Sequence, residues 1–121
     1  MNRPLAMFAV AVVSFVGLSG VSAREQGQTR EFTVTGRDHR FSPARIEVNK
    51  DDLVKITFTA ADMPHSFNNE QYRIAKRAGA GQTVTFEFRA DRAGTFPFYC
   101  NLQINDGCRK MRGQLIVKAR R

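Results

Sequence analysis

The chain has no tryptophan, and it has only two cysteines and two histidines. With so few residues of the kind that bind metals or attack substrates, any chemical site must be built around an imidazole and two sulfurs. Beyond residue 23 there is no apolar run approaching the roughly 20 residues that a membrane span needs, so no transmembrane segment is expected in the mature chain. Internal repeats and low-complexity tracts are missing. So are a serine in a nucleophile elbow, paired carboxylates and a glycine-rich phosphate loop, which removes the common hydrolase and nucleotide-binding classes. Cys100 and His65 are the one pair able to act as nucleophile and base, and no enzyme is expected.

What the N-terminus does have is Arg3, a nearly unbroken apolar run from Pro4 to Val21, and small residues in Val21-Ser22-Ala23. This is the pattern of a secretory signal peptide over 1–23, cut after Ala23, with an uncleaved anchor as the alternative. No cysteine closes the run, so a lipid anchor has no attachment point. The protein is expected to be periplasmic or otherwise exported. A polar, flexible leader is expected over 24–30 and a single domain over 31–121, a length that supports one core.

The formal charge of +8 loses one unit with Arg3. Export and the absence of any binding motif argue against nucleic acid. The basic residues are scattered, with a cluster at Arg109, Lys110 and Arg112 that reads either as solvated surface or as a face steering an acidic partner.

Alternation dominates the rest. Phe32 and Val34, then Ile46 and Val48, then Val54, Ile56 and Phe58, and later Val84, Phe86 and Phe88 each alternate with polar neighbours, the period of half-buried strands. Asn49-Lys50-Asp51-Asp52 reads as a turn. Phe96 and Phe98 lead into Cys100, and a last strand covers Leu115 to Lys118. A helix fits only between Glu70 and Arg77, with weak periodicity. Six to eight short strands with polar turns predict an all-β sandwich or barrel, its core packed by many of the ten phenylalanines.

Three segments carry the chemical signal: Asp62-Met63-Pro64-His65-Ser66-Phe67, Gly94 through Cys100, and Cys108-Arg109-Lys110-Met111-Arg112-Gly113. Imidazole with soft sulfur donors selects copper, above all Cu(I), and tolerates zinc. These segments, with Phe41-Ser42-Pro43-Ala44-Arg45-Ile46-Glu47-Val48, resemble the cupredoxins. They are most similar to the copper domain of cytochrome c oxidase subunit II: Phe-x-Pro-x-x-Ile-x-Val, Asp-Val-x-His-x-Phe, Pro-Gly-x-Tyr/Phe before the ligand cysteine, and Met-x-Gly, in that order. The resemblance covers roughly 31–118. It implies a Greek-key β-sandwich and a copper cofactor, Cu(I) favoured and Cu(II) open, held by His65, Cys100, Cys108 and Met111. Met63 and Asn101 are auxiliary: Met63 either packs or faces the site, and Asn101 is expected to hydrogen-bond near the Cys100 sulfur.

The ligand loop departs from the family. The oxidase loop reads Cys-x3-Cys-x3-His-x2-Met; laid on Cys100, that frame puts Ile104 at the second cysteine, Cys108 at the histidine and Met111 at the methionine. A dinuclear centre is therefore not expected. Three readings stay open: a copper carrier using all four residues, an electron-transfer site centred on His65 and Cys100, or a Cys100–Cys108 disulfide in a metal-free interaction module. The partner implied is an acidic redox or copper-accepting protein such as a respiratory oxidase, docking on Arg109, Lys110 and Arg112 of a monomer. His39 has no sulfur or carboxylate pattern beside it and reads as solvated, and Tyr99 and Phe98 read as core.

Overall fold

The computed structural model describes residues 27–119; the expected signal peptide lies outside them. Among these residues there are nine strands and one five-residue helix. The strands are β1 (Thr29–Arg37), β2 (Arg40–Ser42), β3 (Arg45–Asn49), β4 (Leu53–Ala60), β5 (His65–Asn69), β6 (Ile74–Ala78), β7 (Thr83–Arg89), β8 (Gly94–Tyr99) and β9 (Arg112–Lys118). The helix, α1 (Asp106–Lys110), lies between β8 and β9. The strands form two sheets, ordered β2-β1-β4-β7 and β3-β9-β8-β5-β6. β1 runs parallel to β4 and β3 parallel to β9, while the remaining pairs are antiparallel.

The alternation read from sequence places the sides. Val54, Ile56, Phe58 and Ala60 of β4 are buried while their neighbours are only half-buried. In β8 the inward residues are Phe96 and Phe98, and the same face continues to the buried Cys100. Phe67 of β5 joins the sheets. Its ring stacks on Phe98 at 4.4 Å and meets Phe41, Phe58 and Phe86 of the opposite sheet at 5.9, 5.8 and 5.4 Å between centroids.

Two expectations change. β1 begins at Thr29, so the described end of the polar leader is paired: Thr29 and Arg30 lie opposite Leu53 and Val54. The helix is not between 70 and 77. Asn69 Oδ1 accepts from the Tyr72 N–H at 2.9 Å and Arg73 turns to φ 55°, which ends any helical turn; Ile74–Ala78 then pairs with β5 as β6.

The turn at 49–52 forms as read, and Asp52 locks it. Its side chain is almost fully buried, accepting from the N–H groups of Asn49 at 2.8 Å and Gln28 at 2.9 Å and from Arg30 Nε at 3.2 Å. Burial works to raise its carboxyl pKa, but the Asn49 and Gln28 N–H groups and Arg30 outweigh it and hold the group below its ordinary 3.8.

Two predictions follow from this packing. Phe67→Ala is expected to cost about 3–5 kcal/mol in urea unfolding, the range for a large core aromatic. Asp52→Asn is expected to cost roughly 1.5–3 kcal/mol at neutral pH, because hydrogen bonds to a charged acceptor are lost. Since the folded pKa is depressed, this contribution is complete above the unfolded value of about 3.9 and disappears as pH falls through the folded value. Unfolding curves of the two proteins should therefore converge in acid; a constant gap down to pH 2 would refute the assignment.

Candidate metal centre

His65 opens β5, and its position on the same face as Phe67 brings it inward: its side chain is 0% exposed. The ring has room because β1 passes it at Gly36, where a Cβ would stand 3.0 Å from His65 Cδ2. One ring nitrogen is held. His65 Nε2 lies 2.8 Å from Asp62 Oδ1, and Asp62 Oδ2 accepts the Asp38 N–H at 2.9 Å. The Asp38 N–H, and after it the His65 ring, hold the Asp62 carboxyl down to about 2. An ionised carboxylate only accepts, so in the neutral tautomer that this contact selects Nε2 would carry the proton and Nδ1 would be the lone pair. His65 Nδ1 is buried and has no hydrogen-bond partner. Such an atom costs about 1–3 kcal/mol when unpaired, and a carboxylate fixing the far nitrogen is how metal-ligating histidines are set.

Cys100 follows β8 and Cys108 sits in α1; they form a disulfide, with Cα atoms 5.2 Å apart. Of the three readings of the loop, this structure holds the cystine. A disulfide sulfur has no thiolate to offer a metal, so a ligand role for Cys100 and Cys108 requires reduction. The loop between them is folded by Asn105, whose Oδ1 caps α1 through the Cys108 N–H at 3.0 Å. Cys108 Sγ also accepts the Leu102 N–H at 3.0 Å. Asn101, expected near the Cys100 sulfur, instead bonds Ser66: its N–H donates to Ser66 Oγ and its Oδ1 accepts from it, both at 2.9 Å. It therefore ties the residue after Cys100 to the residue after His65.

Met111 is 1% exposed, and its N–H donates to the Cys108 carbonyl at 3.1 Å. Two residues on, Gly113 is opposite Phe98, and a Cβ there would stand 2.2 Å from the Phe98 ring. The glycine of the Met-x-Gly segment is thus required by Phe98. Met63 is half-buried, with its sulfur 3.6 Å from Asn105 Nδ2. Arg109, Lys110 and Arg112 are exposed, Arg112 lying 5.7 Å over the half-buried Tyr99 ring, and Ile104 in the segment before α1 is 50% exposed.

The residue that sequence reasoning misplaced is His39. It is half-buried rather than solvated, its ring 6.1 Å from that of His65, and its Nε2 is buried without a partner. Asp38 and His39 both adopt positive φ, 53° and 57°, in the turn between β1 and β2, and nothing in the local sequence announced the approach of His39 to His65. Among the described residues no three or more His, Cys, Asp or Glu side chains cluster to hold a metal ion. A metal here needs sulfur from methionine or from reduced cysteine.

The chain matches the cupredoxin-like domain family over residues 7–117. It belongs to that family. No curated protein sequence matches it. Among solved structures, this cupredoxin-like chain is similar to a heme-copper terminal oxidase, at 18% identity and TM-score 0.66, covering 74% of this chain and 65% of that one. It is also similar to auracyanin A, a blue copper protein of Chloroflexus aurantiacus, at 18% identity and TM-score 0.61, covering 74% and 99%. A third is the metal-binding domain of the Cu(I)-exporting P-type ATPase CopA of Streptococcus pneumoniae, at 16% identity and TM-score 0.59, covering 76% and 96%. The chain thus spans about two thirds of the oxidase chain and nearly all of the other two. These likenesses establish the fold. Among the described residues no helix is long and apolar enough to cross a membrane.

The disulfide is expected to stabilise this cupredoxin-like domain by roughly 2–4 kcal/mol through loop closure. A Cys100→Ser, Cys108→Ser double variant should melt lower by that amount and match the reduced wild type. Equal melting of oxidised and reduced wild type would show that the bond contributes nothing.

Proposed function

We propose that this protein is an exported copper-binding cupredoxin that carries copper to a partner. The observation that supports it most is His65 Nδ1: buried and unpaired, on a ring whose other nitrogen faces the Asp62 carboxylate. In a copper-binding family, that is a donor prepared for a metal. Met111 supplies a buried thioether. Cys100 and Cys108 become donors once a thiol reductant delivers two electrons and two protons and converts the cystine to two thiols. Imidazole with these sulfurs is a soft set that favours Cu(I) over Cu(II). Bound copper would supply a transferable Cu(I) ion rather than a colour centre, since two thiolates beside Cu(II) invite sulfur oxidation. This favours carriage over electron transfer.

The docking face is the ligand loop, where Ile104 gives an apolar tip and Arg109, Lys110 and Arg112 a basic rim. An acidic copper-accepting protein, such as a respiratory oxidase, is the partner this chemistry fits.

A second reading is favoured by the disulfide itself: a metal-free interaction module in which the cystine is a staple. Cu(I) titration against a chelator, on oxidised and reduced protein with thiols counted, separates the two. The expected result is one colourless Cu(I) per chain, with affinity falling at least roughly 10–100-fold in His65→Ala. Absence of copper binding in both redox forms would leave only the interaction module.

A further inference from the structure

We infer that His39 supplies a second imidazole to the same copper ion as His65, so that the centre takes copper with the Cys100–Cys108 disulfide intact. This rests on the copper-binding reading and goes beyond it by drawing a donor from the β1–β2 turn.

The cupredoxin-like loop of this chain has no histidine, so a second nitrogen donor must come from elsewhere. Among the described residues the other histidine is His39, and the fold brings it to His65. Their ring centroids are 6.1 Å apart, just inside the roughly 6.3 Å that two imidazoles sharing one ion in a linear arrangement span at metal–nitrogen bonds of roughly 2.0 Å. Both rings carry a buried nitrogen with no partner, Nε2 on His39 and Nδ1 on His65. An edge-to-face contact between two rings accounts for their approach but not for a partnerless buried nitrogen on each.

The surroundings fix His39 as they fix His65. Asp62 holds both: one oxygen takes His65 Nε2 and the other the N–H of Asp38, the residue before His39 in the turn. On its other side His39 meets α1 at Gly107, where a Cβ would stand 2.4 Å from the ring, so only glycine admits the imidazole. The candidate sulfur is that of Met63, two residues before His65. Asn105, the cap of α1, contacts the Met63 thioether at 3.6 Å. Two imidazoles and a thioether are a donor set for Cu(I) that uses no thiolate.

The test is Cu(I) titration of the disulfide-intact full chain against bicinchoninate, with the imidazole nitrogens followed by 15N NMR. Wild type should bind one Cu(I), with His39 Nε2 and His65 Nδ1 both shifting. His39→Asn should keep its melting temperature, because Asn suits a turn with two positive φ angles, yet bind at least about tenfold more weakly; His39→Ala should bind no better. If His65 Nδ1 shifts while His39 Nε2 does not, or if H39N binds as tightly as wild type, the inference falls and the copper reading stands. Copper uptake only after reduction also overturns this inference alone. No uptake in either redox form removes both.

Discussion

The position of Phe67 constrains everything else. One ring on the five-stranded sheet stacks on Phe98 of the same sheet and reaches Phe41, Phe58 and Phe86 of the other. A sandwich of this size has one interior, and large-to-small changes at such a position cost more than any surface contact can recover. The strand period does the rest. Residues two apart share a face, so burying Phe67 carries His65 inward, and burying Phe98 carries Cys100 inward. The chemistry at the sandwich end is positioned by the packing of its middle.

Asp62 converts position into chemical state. An imidazole placed in an apolar interior without partners would be expected to turn, hydrate or displace its neighbours. Here the carboxylate grips one nitrogen and simultaneously anchors the β1–β2 turn through the Asp38 N–H. The free nitrogen is thus oriented by the same group that brings His39 alongside. Glycine provides the space on both flanks, with Gly36 against His65 and Gly107 against His39. Tightness at one end of the molecule is therefore a consequence of three elements meeting around two rings.

The strands were legible because their signal is local. Val54 to Phe58 and Val84 to Phe88 show the period directly, the turn at 49–52 shows its Asn and Asp, and the Phe-rich approach to Cys100 shows its direction. His65 was legible as a candidate because its segment resembles a known one. What escaped is what depends on turns and distant partners. Asn101 bonds Ser66 from 35 residues away, and no neighbour in sequence announces that. His39 looked solvated because polar residues surround it in the chain, whereas the positive φ angles of its turn aim it at a ring 26 residues on. The helix at Asp106–Lys110 is short, and its periodicity is invisible; an Asn105 cap and a covalent tether to Cys100 make it.

The disulfide and the sulfur ligands compete for the same atoms, and the rest of the site bears on the outcome. Asp62 and Gly36 hold His65 without the Cys100–Cys108 bond, whereas His39 also packs on Gly107 of α1, the helix that this bond tethers. With the cystine intact both imidazoles are already in place, so the proposed site does not need reduction in order to exist. Reduction would instead add two soft thiolates to donors already in place and deepen the preference for Cu(I). If the chain carries copper as proposed, the redox state of the loop would set how tightly the ion is held rather than whether it is held. A carrier needs that distinction, because an ion must be both retained on the way and released at the end. Arg109 and Lys110 share α1 with Cys108, and Arg112 opens β9 just after it. Under the proposed function, a partner docking there would meet the helix that holds Cys108.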